Sequence, residues 1–186
     1  MTLAIALLAA GGATRFGGGK LDAECAGKPL GLWALEAALA VPHERLAVVV
    51  GDPVPWFARG RELLVNERAT EGLGTSAALA ARWAEGCDAL LLLLADMPLV
   101  SPEALRKLVE ATGPAAVAYP GDKPGVPACF PAALLPALEA LAGDSGAAQV
   151  LRGLADVTLI EVPAQELRDV DRPEDLADVE ALLRVR

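Results

Sequence analysis

A chain of 186 residues in which 54% of the side chains are apolar is long enough to bury a sizeable core as one domain. Twenty-five acidic residues against 16 basic ones leave a formal net charge of −9 and an isoelectric point near 4.6. No Lys/Arg cluster interrupts that balance, which argues against a nucleic-acid partner and against an anionic membrane surface. The apolar runs are short and bounded by Gly, Asp or Pro, so no transmembrane helix is expected. The N-terminus enters a strand-like run without a basic segment, so no secretory signal is expected either. Cys25, Cys87 and Cys129 are odd in number and far apart, and read as reduced thiols of a cytosolic protein. His43 is the one histidine, so any His-based metal or nucleophile system would rest on it.

The first predicted element is Leu3 to Ala9, an apolar run suited to a strand buried on both faces. A helix carrying Leu32, Leu35 and Leu39 follows, then strands at Leu46–Val50 and Glu62–Val65, then a helix through Leu79 and Trp83 to about Glu85. Leu90–Leu94 is the next strand. Ser101 and Pro102 form an N-cap and first-turn pair for a helix to about Glu110. Ala115–Tyr119 and Val157–Val162 read as further strands, and a last helix beginning at Pro173 carries Leu176, Val179 and Leu183 on one face. This alternation predicts a mostly parallel sheet with helical crossovers, a three-layer α/β/α Rossmann-like sandwich. No repeat, linker or low-complexity tail divides residues 1–186.

Directly after the first strand comes Leu8-Ala9-Ala10-Gly11-Gly12-Ala13-Thr14-Arg15-Phe16-Gly17-Gly18-Gly19-Lys20. An open α/β sheet places its ligand there, beyond a strand's carboxyl end. Glycines let backbone N–H groups approach an anion, and Arg15 and Lys20 add two cations suited to triphosphate oxygens. A P-loop would need Gly at position 14 and Ser or Thr after Lys20, where Thr14 and Leu21 stand; the dinucleotide Gly-x-Gly-x-x-Gly is absent as well. The bland alternative is a flexible surface loop. The preceding strand and the two cations favour phosphate binding.

The pattern Leu-Ala-Ala-Gly-x-x-x-Arg-x-Gly-x-x-x-Lys resembles the signature of the molybdenum-cofactor guanylyl- and cytidylyltransferases, the MobA/MocA-like nucleotidyltransferases. Their superfamily also holds the sugar-1-phosphate nucleotidyltransferases. Gly27-Lys28-Pro29-Leu30, Glu71-Gly72-Leu73-Gly74-Thr75-Ser76, Ala95-Asp96-Met97-Pro98 and Asp169-Val170-Asp171-Arg172-Pro173-Glu174-Asp175 extend the likeness in order along nearly the whole chain. The resemblance implies the nucleotide-diphospho-sugar transferase type of fold. It also implies transfer of a nucleoside monophosphate to a phosphorylated acceptor, with molybdopterin favoured and delivery of the product to a molybdoenzyme or chaperone.

Asp96 ends an apolar run, so it is expected at a strand's carboxyl end over the same crevice. A carboxylate there is costly unless it is paired or metal-bound. A Mg²⁺ ion bridging nucleotide phosphates would supply the reason. The resemblance assigns that ligand role to Asp96 and makes Asp171 the second carboxylate, although Asp before x-Pro-Glu-Asp is also a common helix start. By the same resemblance Leu8, Ala9, Ala10, Gly11, Gly12, Asn66, Gly74 and Thr75 contact the nucleotide. Thr75 or Ser76 could equally cap the following helix.

Gly125-Val126-Pro127-Ala128-Cys129-Phe130 and Gly143-Asp144-Ser145-Gly146-Ala147 are similar to segments of the molybdopterin branch that flank the acceptor, which implicates Pro127, Asp144 and Gly146. Ala148 stands where that branch usually has Arg, and Arg152 lies one turn on. Ala10 resembles the cytidylyl branch, where the guanylyl branch usually has Gly. A methyl beside the base discriminates by roughly 1–3 kcal/mol, which favours CTP and leaves GTP open. Cys129 lacks a neighbour to activate it and reads as a buried apolar residue. The three tryptophans read as packing. In-line attack by the acceptor's phosphate needs positioning and charge neutralisation, the roles given to Arg15, Lys20 and Asp96, rather than a protein nucleophile. The alternatives are a sugar-1-phosphate or alditol-phosphate nucleotidyltransferase and a non-catalytic nucleotide-binding homologue.

Overall fold

The computed structural model describes residues 1–12 and 16–185. In chain order the elements are β1 (Leu3–Ala9), β2 (Glu24–Cys25), β3 (Lys28–Pro29), α1 (Leu30–Leu39), β4 (Arg45–Val50), β5 (Glu62–Val65), α2 (Leu73–Trp83), β6 (Ala89–Leu94), α3 (Pro102–Glu110), β7 (Ala115–Tyr119), β8 (Lys123–Pro131), α4 (Leu135–Glu139), α5 (Ala148–Arg152), β9 (Thr158–Ile160) and α6 (Pro173–Leu183). Seven strands form one sheet in the order β5-β4-β1-β6-β8-β7-β9, and β2 and β3 form a small antiparallel pair. β1 pairs in parallel with β4 on one side and β6 on the other. Among the described residues β8 alone runs against its neighbours. The fold is the mostly parallel α/β sandwich that the alternation of elements predicts.

Both faces of the sheet are covered, which is why β1 reads as an uninterrupted apolar run. Leu3, Ile5, Leu7 and Ala9 join one core with α1, α3 and α6. Ala4, Ala6 and Leu8 join the other with α2, α4 and α5. On that second face the small side chains of β1 meet Ala77, Ala80 and Ala81 of α2, small against small; the first face is filled by leucines and Phe57. From β1 the chain crosses outward to β4 and β5, then returns past β1 to β6. The loops leaving β1 and β6 therefore diverge, and a crevice opens at their carboxyl ends.

The sequence reading missed the short pair β2 and β3 and, in the large sheet, β8. Pro124, Pro127 and Pro131 disguise it, because proline cannot donate to a ladder. The register explains how it survives: Ala116 pairs with Ala128 and Val117 with Gly125, so Val126 and Pro127 bulge out of the ladder. Two helix starts also differ from expectation. α2 begins at Leu73 with Gly72 as its N-cap, so Thr75 and Ser76 lie inside its first turn and cap nothing. At α6 the Asp175 carboxylate accepts from the backbone N–H of Arg172 at 2.7 Å and of Asp171 at 3.0 Å, so the capping duty falls to Asp175 rather than Asp171. α3 starts as read: Ser101 Oγ accepts from the Ala104 N–H at 3.1 Å.

Gly72 has φ +123° and ψ 171°, a region open essentially to glycine alone, and a Cβ there would lie 2.3 Å from the Gly143 backbone. Gly60, at φ +79°, would meet nothing within 4 Å. Gly72→Ala is therefore expected to destabilise by more than ~2 kcal/mol and Gly60→Ala by only about 1 kcal/mol in urea denaturation, because only the first adds overlap to strain. Equal losses would contradict the packing of Gly72 on Gly143.

Candidate active site

Two adjoining cavities of about 350 and 440 Å³ open at the carboxyl ends of the central strands. They share Ala9, Ala10, Gly11, Lys20 and Leu21. The larger extends toward β4 and β5, between Gly51–Pro55 and Val65–Thr70. The smaller extends toward β6 and is walled by Leu8, Leu73, Leu94, Asp96 and Asp171. Gly12 lines the larger cavity, and a Cβ on Gly11 would meet nothing within 4 Å, so the backbone after β1 stands open to a ligand.

Lys20 sits at the junction. Gly17, Gly18 and Gly19 all have positive φ, at 89°, 95° and 64°. This turn delivers the chain into a 3-10 turn at Lys20–Asp22 and buries Lys20 to 8% exposure. Its ammonium donates to Asp96 Oδ2 at 2.8 Å and lies 3.6 Å from Asp171 Oδ1. Backbone bonds bring these acids together: Ala95 N–H donates to Leu8 O at 3.0 Å, and Val170 N–H to Asp96 O at 2.9 Å. Asp96 Oδ1 is buried and has no hydrogen-bond partner among the described residues. Burial pushes the Asp169 carboxyl above its ordinary range, and Asp96 and Asp171 add to the effect. Lys20 thus lies between two carboxylates, and the inaccessible Oδ1 of Asp96 is the atom there that has no hydrogen-bond partner among the described residues. Arg15 lies outside the described residues.

The profile of the MobA-like NTP transferase domain matches residues 5–159. The chain belongs to this family. It is a nucleotidyltransferase domain of the MobA-like kind. It is 32% identical to the purine catabolism protein PucB of Bacillus subtilis over 187 aligned residues, covering 90% of this chain and 91% of that one. Two solved structures share the fold. The homologue of Mycobacterium tuberculosis Rv0371c from Mycobacterium sp. strain JC1 matches with a TM-score of 0.84 and 23% identity, over 99% of this chain and 98% of that one. Mycobacterium tuberculosis Rv0371c in complex with manganese matches with a TM-score of 0.76 and 22% identity, over 97% of this chain and 99% of that one.

The remaining residues that the sequence nominated in this MobA-like domain fall into two groups. Asn66 lines the larger cavity, but its amide is turned to structure: Nδ2 donates to Thr75 Oγ1 and Ser76 Oγ, each at 2.8 Å, and Oδ1 accepts from Arg68 N–H at 3.0 Å. Thr75 in turn donates to the carbonyls of Gly72 and Arg68. This buried clamp fastens the end of β5 to the first turn of α2. Gly74 and Thr75 line neither cavity. Gly74 N–H donates to Gly143 O at 2.9 Å, and a Cβ on Gly74 would lie 2.9 Å from Ser145 O. The loop holding Asp144 and Gly146 is therefore packed on the α2 turn. Pro127 lies in the β8 bulge, and none of Pro127, Asp144 and Gly146 lines either cavity.

Two residues of the site were not legible in the sequence. The Asp22 carboxylate accepts from the backbone N–H groups of Trp56 at 2.9 Å and Phe57 at 3.0 Å, tying the Lys20 turn to the Pro53–Pro55 wall. Tyr119 donates to Val126 O at 3.0 Å, and its ring fills the space a Cβ on Gly125 would need, 2.2 Å away. Burial, then the nearby Asp169 and Asp96 carboxylates, push its phenol up. A lone Tyr and an Asp behind a glycine turn carry no motif; only their partners reveal them.

Burial pushes the Cys129 thiol up to about 11, and burial with the Glu180 charge does the same for Cys25. Cys87 is buried too. None is poised as a nucleophile. The native protein is expected to react with a neutral-pH thiol reagent far more slowly than the urea-unfolded chain; a thiol labelled at the same rate in both states would contradict this. Tyr119→Phe keeps the ring over Gly125 and loses the bond to Val126. It is expected to lower stability by about 1 kcal/mol in urea denaturation, and an unchanged midpoint would show that the phenol bond contributes nothing.

Proposed function

We propose that the chain transfers a nucleoside monophosphate from an NTP to a phosphorylated small-molecule acceptor, releasing pyrophosphate. The observation that carries this reading is the meeting of Lys20, Asp96 and Asp171 where two cavities join at the ends of β1 and β6. The larger cavity suits a base and ribose. The backbone at Gly11 and Gly12, left open beside Lys20, suits the triphosphate, with Arg15 as a further cation. The smaller cavity, with Asp96, suits the reacting phosphorus and the incoming acceptor.

The residues fit a divalent metal: Asp96 Oδ1, without a hydrogen-bond partner among the described residues, and the adjacent carboxylate of Asp171 would hold Mg²⁺. Mg²⁺ there would neutralise developing charge on phosphate oxygens. Among the described residues no group of three or more His, Cys, Asp or Glu forms a complete metal cage, as suits an ion shared with substrate phosphates. Lys20 orients and neutralises the phosphates, and the gathered backbone excludes water around them. No protein nucleophile enters: the acceptor's phosphate oxygen attacks in line and pyrophosphate leaves.

CTP is favoured over GTP by Ala10, which borders both cavities, and molybdopterin is favoured as acceptor by the family resemblance. Pro127, Asp144 and Gly146 would shape the acceptor side from behind the cavity walls. Among the described residues no helix is long and apolar enough to cross a membrane.

Lys20→Met and Asp96→Asn are expected to lower Mg²⁺-dependent pyrophosphate release by about 10²–10³-fold, each variant assayed below its own melting midpoint. Assays with CTP, GTP, ATP and UTP, each against molybdopterin and a panel of sugar 1-phosphates, name the substrates. Near-parental rates in both variants would refute the site. Turnover of a sugar phosphate with molybdopterin inert would refute the acceptor. Nucleotide binding with no turnover of any acceptor would refute the reaction.

A further inference from the structure

The Lys20 ammonium occupies the ground between the two carboxylates to which the proposed function gives a metal. It lies 2.8 Å from Asp96 Oδ2 and 3.6 Å from Asp171 Oδ1, on a side chain only 10% exposed. A divalent cation held by the same pair would sit beside a positive charge; the Asp171 side chain is 47% exposed, but the ammonium and Asp96 are more enclosed, so solvent screens the repulsion only in part. Lys20 also borders both cavities, including the backbone at Gly11. Its flexible stem and rotatable ammonium can turn from carboxylates to phosphates without moving the chain, which the rigid fork of an arginine would not do as readily.

We infer that Lys20 is an internal counter-cation that makes metal binding conditional on nucleotide. This rests on the reading of Asp96 and Asp171 as the metal-holding pair. Without nucleotide, Lys20 neutralises Asp96 and Asp171 and keeps a divalent ion out. A bound triphosphate brings more negative charge than the two carboxylates, draws the ammonium to itself and leaves the pair to the metal. Ammonium and metal thus exchange places without leaving Asp96, whose Oδ1 is inaccessible to solvent, uncompensated at any stage. A static bridge makes the opposite prediction: removing Lys20 would weaken the fold without raising metal affinity.

The test is Mn²⁺ binding to the intact protein, followed by the electron paramagnetic resonance of the free ion, with and without the α,β-methylene analogues of CTP and GTP. Lys20→Met without nucleotide is expected to bind Mn²⁺ at least about tenfold more tightly than the parent, and Mn²⁺ is expected to raise its melting temperature more. Adding Asp96→Asn to Lys20→Met is expected to abolish both gains. Lys20→Gln, which retains a polar head for Asp96, is read in the same way if Lys20→Met does not fold. Suppose the parent with nucleotide binds Mn²⁺ through Asp96, yet neither Lys20 variant alone binds it more tightly than the parent alone. The counter-cation role is then overturned and the metal reading stands. If Mn²⁺ in the nucleotide complex is indifferent to Asp96→Asn, the metal reading and this inference fall together.

Discussion

One buried ammonium between two carboxylates organises the crevice at the carboxyl ends of β1 and β6. Lys20 reaches its place only because three consecutive glycines turn the chain into the crevice. Asp96 reaches its place only because β6 lies beside β1, with the bond from Ala95 to Leu8 closing the end of the ladder. Asp171 arrives through the bond from Val170 to the Asp96 carbonyl, and its backbone is held by the cap that Asp175 provides to α6. Burying such a cluster is unfavourable on its own, since desolvation of ions commonly offsets their attraction. Within it one oxygen of Asp96 has no hydrogen-bond partner among the described residues, which is what the proposed metal would satisfy.

The rest of the fold holds that cluster still. β1 is buried on both faces and paired on both edges, so the loop leaving it starts from a fixed point. Around the rim, polar residues turn inward to fasten loop to loop. Asp22 ties the lysine turn to the wall at Trp56, Asn66 ties β5 to α2, and Gly72 and Gly74 seat the loop at Gly143–Ser145. These contacts are structural, yet they fix the shape of both cavities, which is how residues remote from the reacting atoms set the spacing of those that act.

Much of this was written plainly in the sequence. A seven-residue apolar run followed by glycines and a lysine announces a buried strand that opens into a crevice, and an Asp ending a second apolar run announces a carboxylate over the same crevice. What stayed hidden depended on pairing. β8 was obscured by its prolines: Pro127 is accommodated at a bulge that exists only in register with β7, and Pro124 and Pro131 lie near the two ends of the strand. Asp171 was ambiguous because Asp171 and Asp175 both precede or enter one helix, and only geometry assigns the cap to Asp175. Asn66, Thr75 and Ser76 carry the hydroxyl and amide groups expected of a base-reading loop, yet their hydrogen bonds run largely to one another. Composition does not distinguish a polar group aimed at a ligand from one aimed at a neighbour.

The central claim is that nucleotide and metal meet at the Lys20–Asp96–Asp171 cluster. An anomalous difference map from crystals grown with Mn²⁺ and the α,β-methylene analogue of CTP or GTP tests it most directly. The account predicts a manganese peak within coordination distance of Asp96, with triphosphate density over Gly11 and Gly12. Manganese bound away from Asp96, or nucleotide density outside the two cavities, would contradict it.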